Sequence, residues 1–306
     1  MSEWEEAEAR SQAAVAELRG RIADDASAIM IFLGAGLSVG VGRPLGRATF
    51  GMPAPLADDA RFPSWEMLIE RMLAELRASA SEGEAESVER FMREQSPLDA
   101  AQIFRLRTAA ERYRDFLTEQ FITRPADGAR LTPSHHELVA LPVRDLFTTN
   151  YDSLIELAFE REERELAVST TPAEFLRVAV DHPDTHLVKL HGTWERPDEI
   201  VLTRDDYARS RVARDEMFRH LAQTARFSSF LFVGFSLSDP NFSLIRDEAR
   251  TVMGDAMPTS YLVQQRVDPV MREYLESLDV KVVELFTWNE LPRFLHAINP
   301  VADPAA

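Results

Sequence analysis

Three polar side chains that could orient a small molecule or move a proton follow short apolar runs of this 306-residue sequence. Asn150 and Asp152 come just after "DLFTT", and His191 comes just after "HLVKL". An asparagine amide both donates and accepts hydrogen bonds, a carboxylate accepts them, and histidine suits general-base work near neutral pH. Taken singly, each residue is explained as well by a helix cap or a satisfied core side chain.

A glycine-rich loop follows another apolar run, "AIMIFL", and is typical of a turn that cradles a phosphate. Gly34 and Gly36 come directly after this run. Without Cβ atoms the backbone lets a pyrophosphate approach closely, and a following helix would direct N–H groups at the anion. The next glycine, Gly40, comes one place too late for G-x-G-x-x-G. The pattern does not fit an ordinary dehydrogenase, and a plain tight turn stays open.

Two later apolar runs also end in polar or small residues. Gly234, Ser236 and Asp239 follow "FLFV", and Glu284 lies in "KVVELF". In a doubly wound sheet the ligand binds outside the carboxyl ends of the strands, where the strand order reverses. Four such strand ends along one chain predict that these residues converge beside the glycine loop.

The elements that must position these residues alternate between short strands and helices. This alternation predicts an α/β fold, a Rossmann-like doubly wound parallel sheet of about six strands, with a small helical lobe inserted after the first strand. In that lobe, Ser64 and Ser96, the latter followed by proline, predict the starts of two helices after a loop at 43–63, and the second helix is predicted to run to about residue 122. A further helix is predicted near residues 241–252. The predicted strands are residues 28–33, 145–150, 186–192, 230–236, 260–265 and 281–286.

The chain is expected to form a single domain over residues 1–306. Residues 1–23 are predicted to be an N-terminal helix. Residues 24–42 and 131–298 would form the Rossmann-like lobe, and residues 43–130 a proline-rich loop followed by the helical lobe.

Composition restricts the partners. The formal net charge of −17 leaves no basic surplus for neutralising phosphates, so direct nucleic-acid binding is not expected; the cluster Arg204–Arg214 is the one local candidate. The sequence contains no cysteine, which excludes disulfides and cysteine-ligated zinc. It shows no signal peptide and no apolar run long enough to cross a membrane, so we expect a cytoplasmic protein without membrane contact.

The ordered motifs resemble the SIR2 (sirtuin) family in its divergent bacterial, SIR2-like branch. The resemblance rests on "GAGLS" at 34–38, "TNYD" at 149–152, "KLHG" at 189–192 and "GFSLSDPNF" at 234–242, with "FPSWEMLIERML" at 62–73 beside them. Each motif is modest alone, but the set occurs in order over most of residues 28–290.

The resemblance implies an NAD site at this edge of the sheet. By analogy, Asn150 and Asp152 would lie in the nicotinamide pocket, and His191 would be the catalytic histidine at the nicotinamide ribose. Gly234 and Ser236 would hold the adenosine half. The remaining residues of the implied binding set are Gly34, Ala35, Gly36, Ser38, Thr149, Asp239 and Glu284.

Departures from the family's sequence pattern indicate which reaction NAD undergoes. Sirtuin deacylases carry a four-cysteine zinc module, which a chain without cysteine cannot build, and they usually have glutamine where this chain has Thr149. The resemblance therefore favours the branch that hydrolyses NAD as a substrate, without a metal, and that is linked to anti-phage defence by NAD depletion. Such an activity would be gated by homo-oligomerisation or by a partner protein encoded nearby. A non-catalytic NAD or ADP-ribose binding module, a zinc-free deacylase and a structural subunit with a vestigial pocket remain alternatives.

Overall fold

The computed structural model describes residues 3–25, 27–39, 62–78, 81–123, 131–181, 183–234, 247, 250–251, 254 and 258–302. Ser236, Asp239, nearly all of the predicted loop at 43–63 and most of the helix predicted at 241–252 lie outside these residues.

A parallel sheet forms the centre of the described structure, with the strand order β3-β4-β2-β1-β5-β6-β7. All its paired strands are parallel, which confirms the predicted α/β class. The strands are β1 (Ile29–Leu33), β2 (Asp145–Thr148), β3 (Ala167–Ser169), β4 (His186–Lys189), β5 (Ser229–Val233), β6 (Ser260–Gln265) and β7 (Val280–Leu285).

The predicted count of about six strands was one too low, because β3 was missed. This edge strand has only three residues and pairs only with β4. Its sequence, "AVS", is too short to show a strand pattern, and its pairing depends on the neighbouring β4.

The strand β1 lies where the chain reverses its direction across the sheet. All five of its residues are fully buried, as expected of a central parallel strand covered on both faces. It pairs with β2 on one side and with β5 on the other. The loop after β1 therefore opens at the topological switch point, where such sheets bind ligands.

Some of the described helices cover the two faces of the sheet, and others form a separate block beside it. The side chains of β1 alternate between two cores: Ile29, Ile31 and Leu33 face one, while Met30 and Phe32 face the other. The described helices are α1 (Glu3–Asp24), α2 (Ala35–Val39), α3 (Trp65–Arg77), α4 (Glu82–Glu94), α5 (Pro97–Arg107), α6 (Ala110–Phe121), α7 (Pro133–Ala140), α8 (Leu154–Arg161), α9 (Pro172–Asp181), α10 (Arg204–Ala213), α11 (Asp215–Thr224), α12 (Pro269–Glu276) and α13 (Leu291–Ile298).

Helices α3–α6 share a core of their own, centred on Met72, Phe104 and Leu117. Ser64 and Ser96 cap α3 and α5 as predicted, each hydroxyl accepting a backbone N–H at 3.3 Å. The helix predicted from residue 97 to 122 is in fact two helices, and α4 was not predicted. The division of residues 1–306 into lobes stays a prediction. No helix in the described part of the chain is long and apolar enough to cross a membrane.

Candidate active site

A cavity of about 390 Å³ lies where the carboxyl ends of β1, β2, β4 and β5 face the helical block. Its polar wall comes from the strand ends and its apolar wall from the segment around α3, α5 and α6. The lining residues are Gly34, Ala35, Ser38, Phe62, Pro63, Ser64, Trp65, Leu68, Ser96, Pro97, Leu98, Phe121, Thr149, Asn150, Tyr151, Asp152, His191, Leu202, Tyr207 and Gly234.

The glycine loop after β1 is held directly against the end of β5. The Gly34 N–H donates to the Val233 carbonyl at 3.0 Å, and the Gly36 N–H donates to the Gly234 carbonyl at 2.9 Å. A Cβ on Gly36 would lie 2.7 Å from the Gly234 Cα, and Gly234 itself has a φ of +61°. The loop therefore needs glycine for close packing of two backbones. The N–H groups of Gly34 and Gly36 donate to backbone carbonyls at the end of β5, so they are not directed at an anion.

Asn150 is buried at the end of β2 with one free acceptor. Its Nδ2 donates to the Gly34 carbonyl at 3.2 Å and to the Ser38 hydroxyl at 3.0 Å. Because a carbonyl oxygen only accepts, the atom facing Gly34 must be the amide nitrogen. The amide oxygen Oδ1 is then left buried without a partner in a side chain that lines the cavity. A bound hydroxyl or water could satisfy it.

Asp152 is also buried, and its carboxylate caps the start of the next helix. Its Oδ1 accepts from the Leu154 N–H at 3.1 Å, at the start of α8. Burial raises the pKa of Asp152, while the nearby Lys189 ammonium and a hydrogen bond from Ser38 oppose that rise. Ser38 therefore contacts both polar residues of the β2 end.

His191 lies in a tight turn after β4 and is almost fully buried. Gly192 makes this turn with a φ of +87°, and a Cβ there would meet the Glu199 carbonyl oxygen at 2.7 Å. The His191 ring packs edge-on against Tyr207 at a centroid distance of 4.9 Å, with the Tyr207 hydroxyl 3.5 Å from its Nδ1. Tyr207 therefore fixes the ring's inclination at the cavity wall.

The guanidinium of Arg214 supports the same turn from behind. Its Nη1 donates to the Leu190 carbonyl at 2.6 Å, and its Nη2 donates to the Glu199 carbonyl at 2.7 Å. Burial lowers the pKa of Arg214. Two other arginines of the predicted basic cluster form ion pairs, Arg204 with Asp99 and Arg209 with Asp206. The cluster is thus no free basic surface.

The predicted site residues fall into three groups. Those that line the cavity are Gly34, Ala35, Ser38, Thr149, Asn150, Asp152, His191 and Gly234. Gly36 lies behind the loop, against Gly234. Ser236 and Asp239 lie outside the described residues. Glu284 does not line this cavity: on β7 its carboxylate accepts from Arg272 Nη2 at 2.5 Å and from the Val267 N–H at 3.2 Å.

Sequence reasoning missed Tyr207 and Arg214 as parts of the site. Tyr207 lies in α10, and Arg214 lies between α10 and α11. Each is at least 16 positions along the chain from His191. The apolar wall was signalled only by the segment "FPSWEMLIERML", which supplies Phe62 and Trp65. Among the described residues, no group of three histidine, aspartate or glutamate side chains is arranged to hold a metal ion.

Comparison with known proteins shows what this fold and site are similar to. Residues 144–283 match the family model of the SIR2-like domain. This match to a SIR2-like domain confirms the resemblance seen in the motifs.

Curated relatives support the same assignment. The chain is 27% identical over 288 residues to the NAD(+) hydrolase ThsA of Bacillus cereus, which covers 88% of this chain and 53% of that protein. It is 28% identical over 204 residues to the NAD(+) hydrolase ThsA of Acinetobacter baumannii, covering 61% and 42%. It is 22% identical over 247 residues to the defense-associated sirtuin 2 of Bacillus subtilis, covering 78% and 23%. The chain spans about half, or less, of the length of these relatives.

Proposed function

We propose that this protein is an NAD+ glycohydrolase that cleaves the bond between nicotinamide and ribose. The observation that carries the proposal is the convergence of Asn150, Asp152 and His191 with the glycine loop on one cavity. Three relatives, whose alignments cover 61% to 88% of this chain, are named NAD(+) hydrolase. The products would be nicotinamide and ADP-ribose.

The residues that line the cavity suit a dinucleotide. Gly34 and Gly234 carry no side chain, so a pyrophosphate can approach the backbone at the switch point. The apolar wall, including Phe62 and Trp65, would face the nicotinamide ring and exclude bulk water from the reacting carbon. Asp152 would accept a hydrogen bond from the nicotinamide carboxamide.

Cleavage leaves the ribose carbon with oxocarbenium character, as in glycoside hydrolysis. The leaving nicotinamide is already a cationic pyridinium, so its departure needs no general acid. The unpartnered Oδ1 of Asn150 would accept from the attacking water or from a ribose hydroxyl and fix its position. His191 would remove the proton as general base.

We further propose a role in anti-phage defence by NAD depletion, with the activity held in check until a trigger arrives. An ungated NAD+ hydrolase would exhaust the NAD of its own cell. The name of one relative, defense-associated sirtuin 2, supports the defence role. Homo-oligomerisation or a partner protein encoded nearby would be the switch. Light scattering and nicotinamide release, measured with and without that partner, test this regulation. The sample that releases nicotinamide should be the larger species.

The function itself is tested by incubating the purified protein with NAD+ and following nicotinamide by chromatography, alone and with its genomic neighbour. We expect nicotinamide and ADP-ribose in equal amounts, without added peptide or metal. Binding of NAD+ that leaves the dinucleotide intact would contradict the proposal and identify a binding module. Release that requires an acyl-lysine peptide would identify a deacylase.

A further inference from the structure

Lys189 is a fully buried ammonium two residues before His191, and the mechanism above does not use it. Its Nζ donates to the backbone carbonyl of Asp152 at 2.6 Å and to Glu156 Oε1 at 2.7 Å. Lys189 ends β4, whereas Asp152 lies in the loop after β2. This side chain therefore connects the strand end that carries His191 with the one that carries Asn150 and Asp152.

Burying a lysine in the protein interior costs free energy. Taking an ammonium and a carboxylate out of water carries a large desolvation cost, so an apolar pair of similar volume often gives equal or greater stability. Burial raises the pKa of both Asp152 and Glu156, and Lys189 opposes that rise in each. The Lys189–Glu156 pair therefore calls for an explanation other than stability.

The contact with the Asp152 carbonyl supplies that explanation. The loop from Asn150 to Asp152 lies between β2 and α8 and presents both side chains to the cavity. A carbonyl held at 2.6 Å by a fixed cation limits rotation of the peptide that follows Asp152. Displacement of a reacting group by about 1 Å can cost on the order of 100-fold in rate.

We propose that Lys189 is a positioning residue for the NAD site: its ammonium fixes the Asp152 main chain, and with it the nicotinamide pocket, relative to His191. The proposal rests on the proposed NAD+ hydrolase function and deepens it. Glu156 keeps the ammonium in place and is not among the residues that line the cavity.

The test compares two variants that both lack the charge at position 156. Glu156→Gln keeps an acceptor for Lys189 and leaves the contact with the Asp152 carbonyl. Lys189→Met combined with Glu156→Gln removes that contact without leaving an unpaired buried carboxylate. Thermal unfolding, kcat and KM for NAD+ hydrolysis are measured for both. Affinities for NAD+ and ADP-ribose are measured in a His191→Ala background, so that the dinucleotide is not consumed.

We expect Glu156→Gln to stay within roughly threefold of the parent in kcat, and the double variant to lose roughly 10- to 100-fold. The double variant should bind NAD+ at least roughly fivefold more weakly relative to ADP-ribose, because only NAD+ carries the nicotinamide. A double variant that matches Glu156→Gln in kcat and in this ratio, or that does not fold, would show that Lys189 serves the fold alone and overturn the proposal.

Failure of this inference is distinguishable from failure of the proposed function. If the unmodified chain, with any partner it needs, releases no nicotinamide from NAD+, the hydrolase function fails. The ratio of the two affinities does not depend on turnover and still reports whether Lys189 shapes the nicotinamide pocket.

Discussion

At the scale of single residues, hydrogen bonds and ring contacts orient the side chains of the site. Both donors of the Asn150 amide are engaged, and its oxygen is not. His191 is set against Tyr207 by an edge-on ring contact. Each arrangement fixes an orientation before a substrate arrives, and such preorganisation is a large source of catalytic rate enhancement.

His191→Ala is expected to lower kcat for nicotinamide release by about 10²–10⁴-fold, the range associated with loss of a general base. KM for NAD+ should change far less, because the glycine loop and the apolar wall are unaltered. Steady-state kinetics with chromatographic detection measure both constants. An alanine variant that releases nicotinamide at the parent rate would exclude the assigned role.

Asn150→Ala is expected to lower kcat by about 10²–10³-fold, the usual effect of removing one preorganised polar contact. Substitution also removes the bonds to Gly34 and Ser38, so a loss of activity could reflect a distorted loop. Ser38→Ala is the control, since it removes the Ser38 contacts with Asn150 and Asp152 and retains the free Asn150 oxygen. Comparable losses in the two variants would argue that loop support, not the Asn150 oxygen, limits the rate.

The positions of Asn150, Asp152 and His191 were predictable because each lies within a local motif at a strand end. Tyr207 and Arg214 were not, since their roles depend on α10 and α11 packing against the turn after β4. Glu284 illustrates the opposite error. Its strand is real, but β7 lies three strands away from β1 in the sheet, and its carboxylate is used by Arg272.

At the scale of elements, a close backbone approach joins the glycine loop to the end of β5. Gly36→Ala would place a Cβ 2.7 Å from the Gly234 Cα and 3.0 Å from its carbonyl oxygen. Because both neighbours are backbone atoms, the loop must move, at a cost of about 1–3 kcal/mol in the free energy of unfolding. Affinity for NAD+ should fall with it. Chemical denaturation and calorimetric titration measure the two effects.

Gly20→Ala provides the control for this prediction. Gly20 lies exposed within α1, and a Cβ there would meet no atom within 4 Å. Alanine is the better helix former, so this variant should gain about 0.5–1 kcal/mol and leave NAD+ affinity unchanged. If both alanine variants behaved alike, close packing would not be the reason for glycine at position 36.

Helix α7 contains a buried histidine that should make the fold sensitive to acid. His135 Nδ1 accepts from the Thr132 N–H at 3.3 Å and lies 2.8 Å from its hydroxyl, which caps the helix. Burial lowers the pKa of His135 from 6.5 to about 4. The unfolded chain therefore takes up a proton below pH 6.5 that the folded chain does not. Stability is complete above that pH and decreases as pH falls toward 4.

His135→Gln tests this contribution. Glutamine at the third helical position can complete the same capping box without titrating. Between pH 7 and pH 5 the parent should lose about 2 kcal/mol more unfolding free energy than the variant. Urea denaturation at the two pH values measures the difference. Equal losses in both proteins would mean that His135 takes up its proton without unfolding.

The limits of the helices and strands show how much of the secondary structure is determined by the local sequence. The six predicted strands, each at least four residues long in the structure, were predicted to within three residues of their observed limits. The break between α5 and α6 was not predicted, because the apolar pattern continues across Thr108 and Ala109. The backbone turns at these two residues. Such a break is set by packing within the helical block.

At the scale of the whole molecule, the cavity exists only because the helical block packs against the sheet. Tyr151, Ile200 and Leu202, from loops at the sheet edge, are buried in the core of helices α3–α6. The charged contacts between α5 and α10, such as Arg105 with Asp206 at 2.7 Å, are partly exposed and contribute at most about 1 kcal/mol each. Apolar burial therefore holds the two walls of the site together. The sequence predicted both parts, but which face of the block meets the sheet depends on this long-range packing.

The most direct test of the account is a crystal structure of the Asn150→Ala variant soaked with NAD+. The dinucleotide should lie in the cavity at the carboxyl ends of β1, β2 and β4, with its nicotinamide against Trp65. The His191 imidazole should be about 3 Å from a hydroxyl of the nicotinamide ribose or from the water beside it. A dinucleotide bound elsewhere, or an imidazole turned away from the sugar, would contradict the claim that this cavity cleaves NAD+.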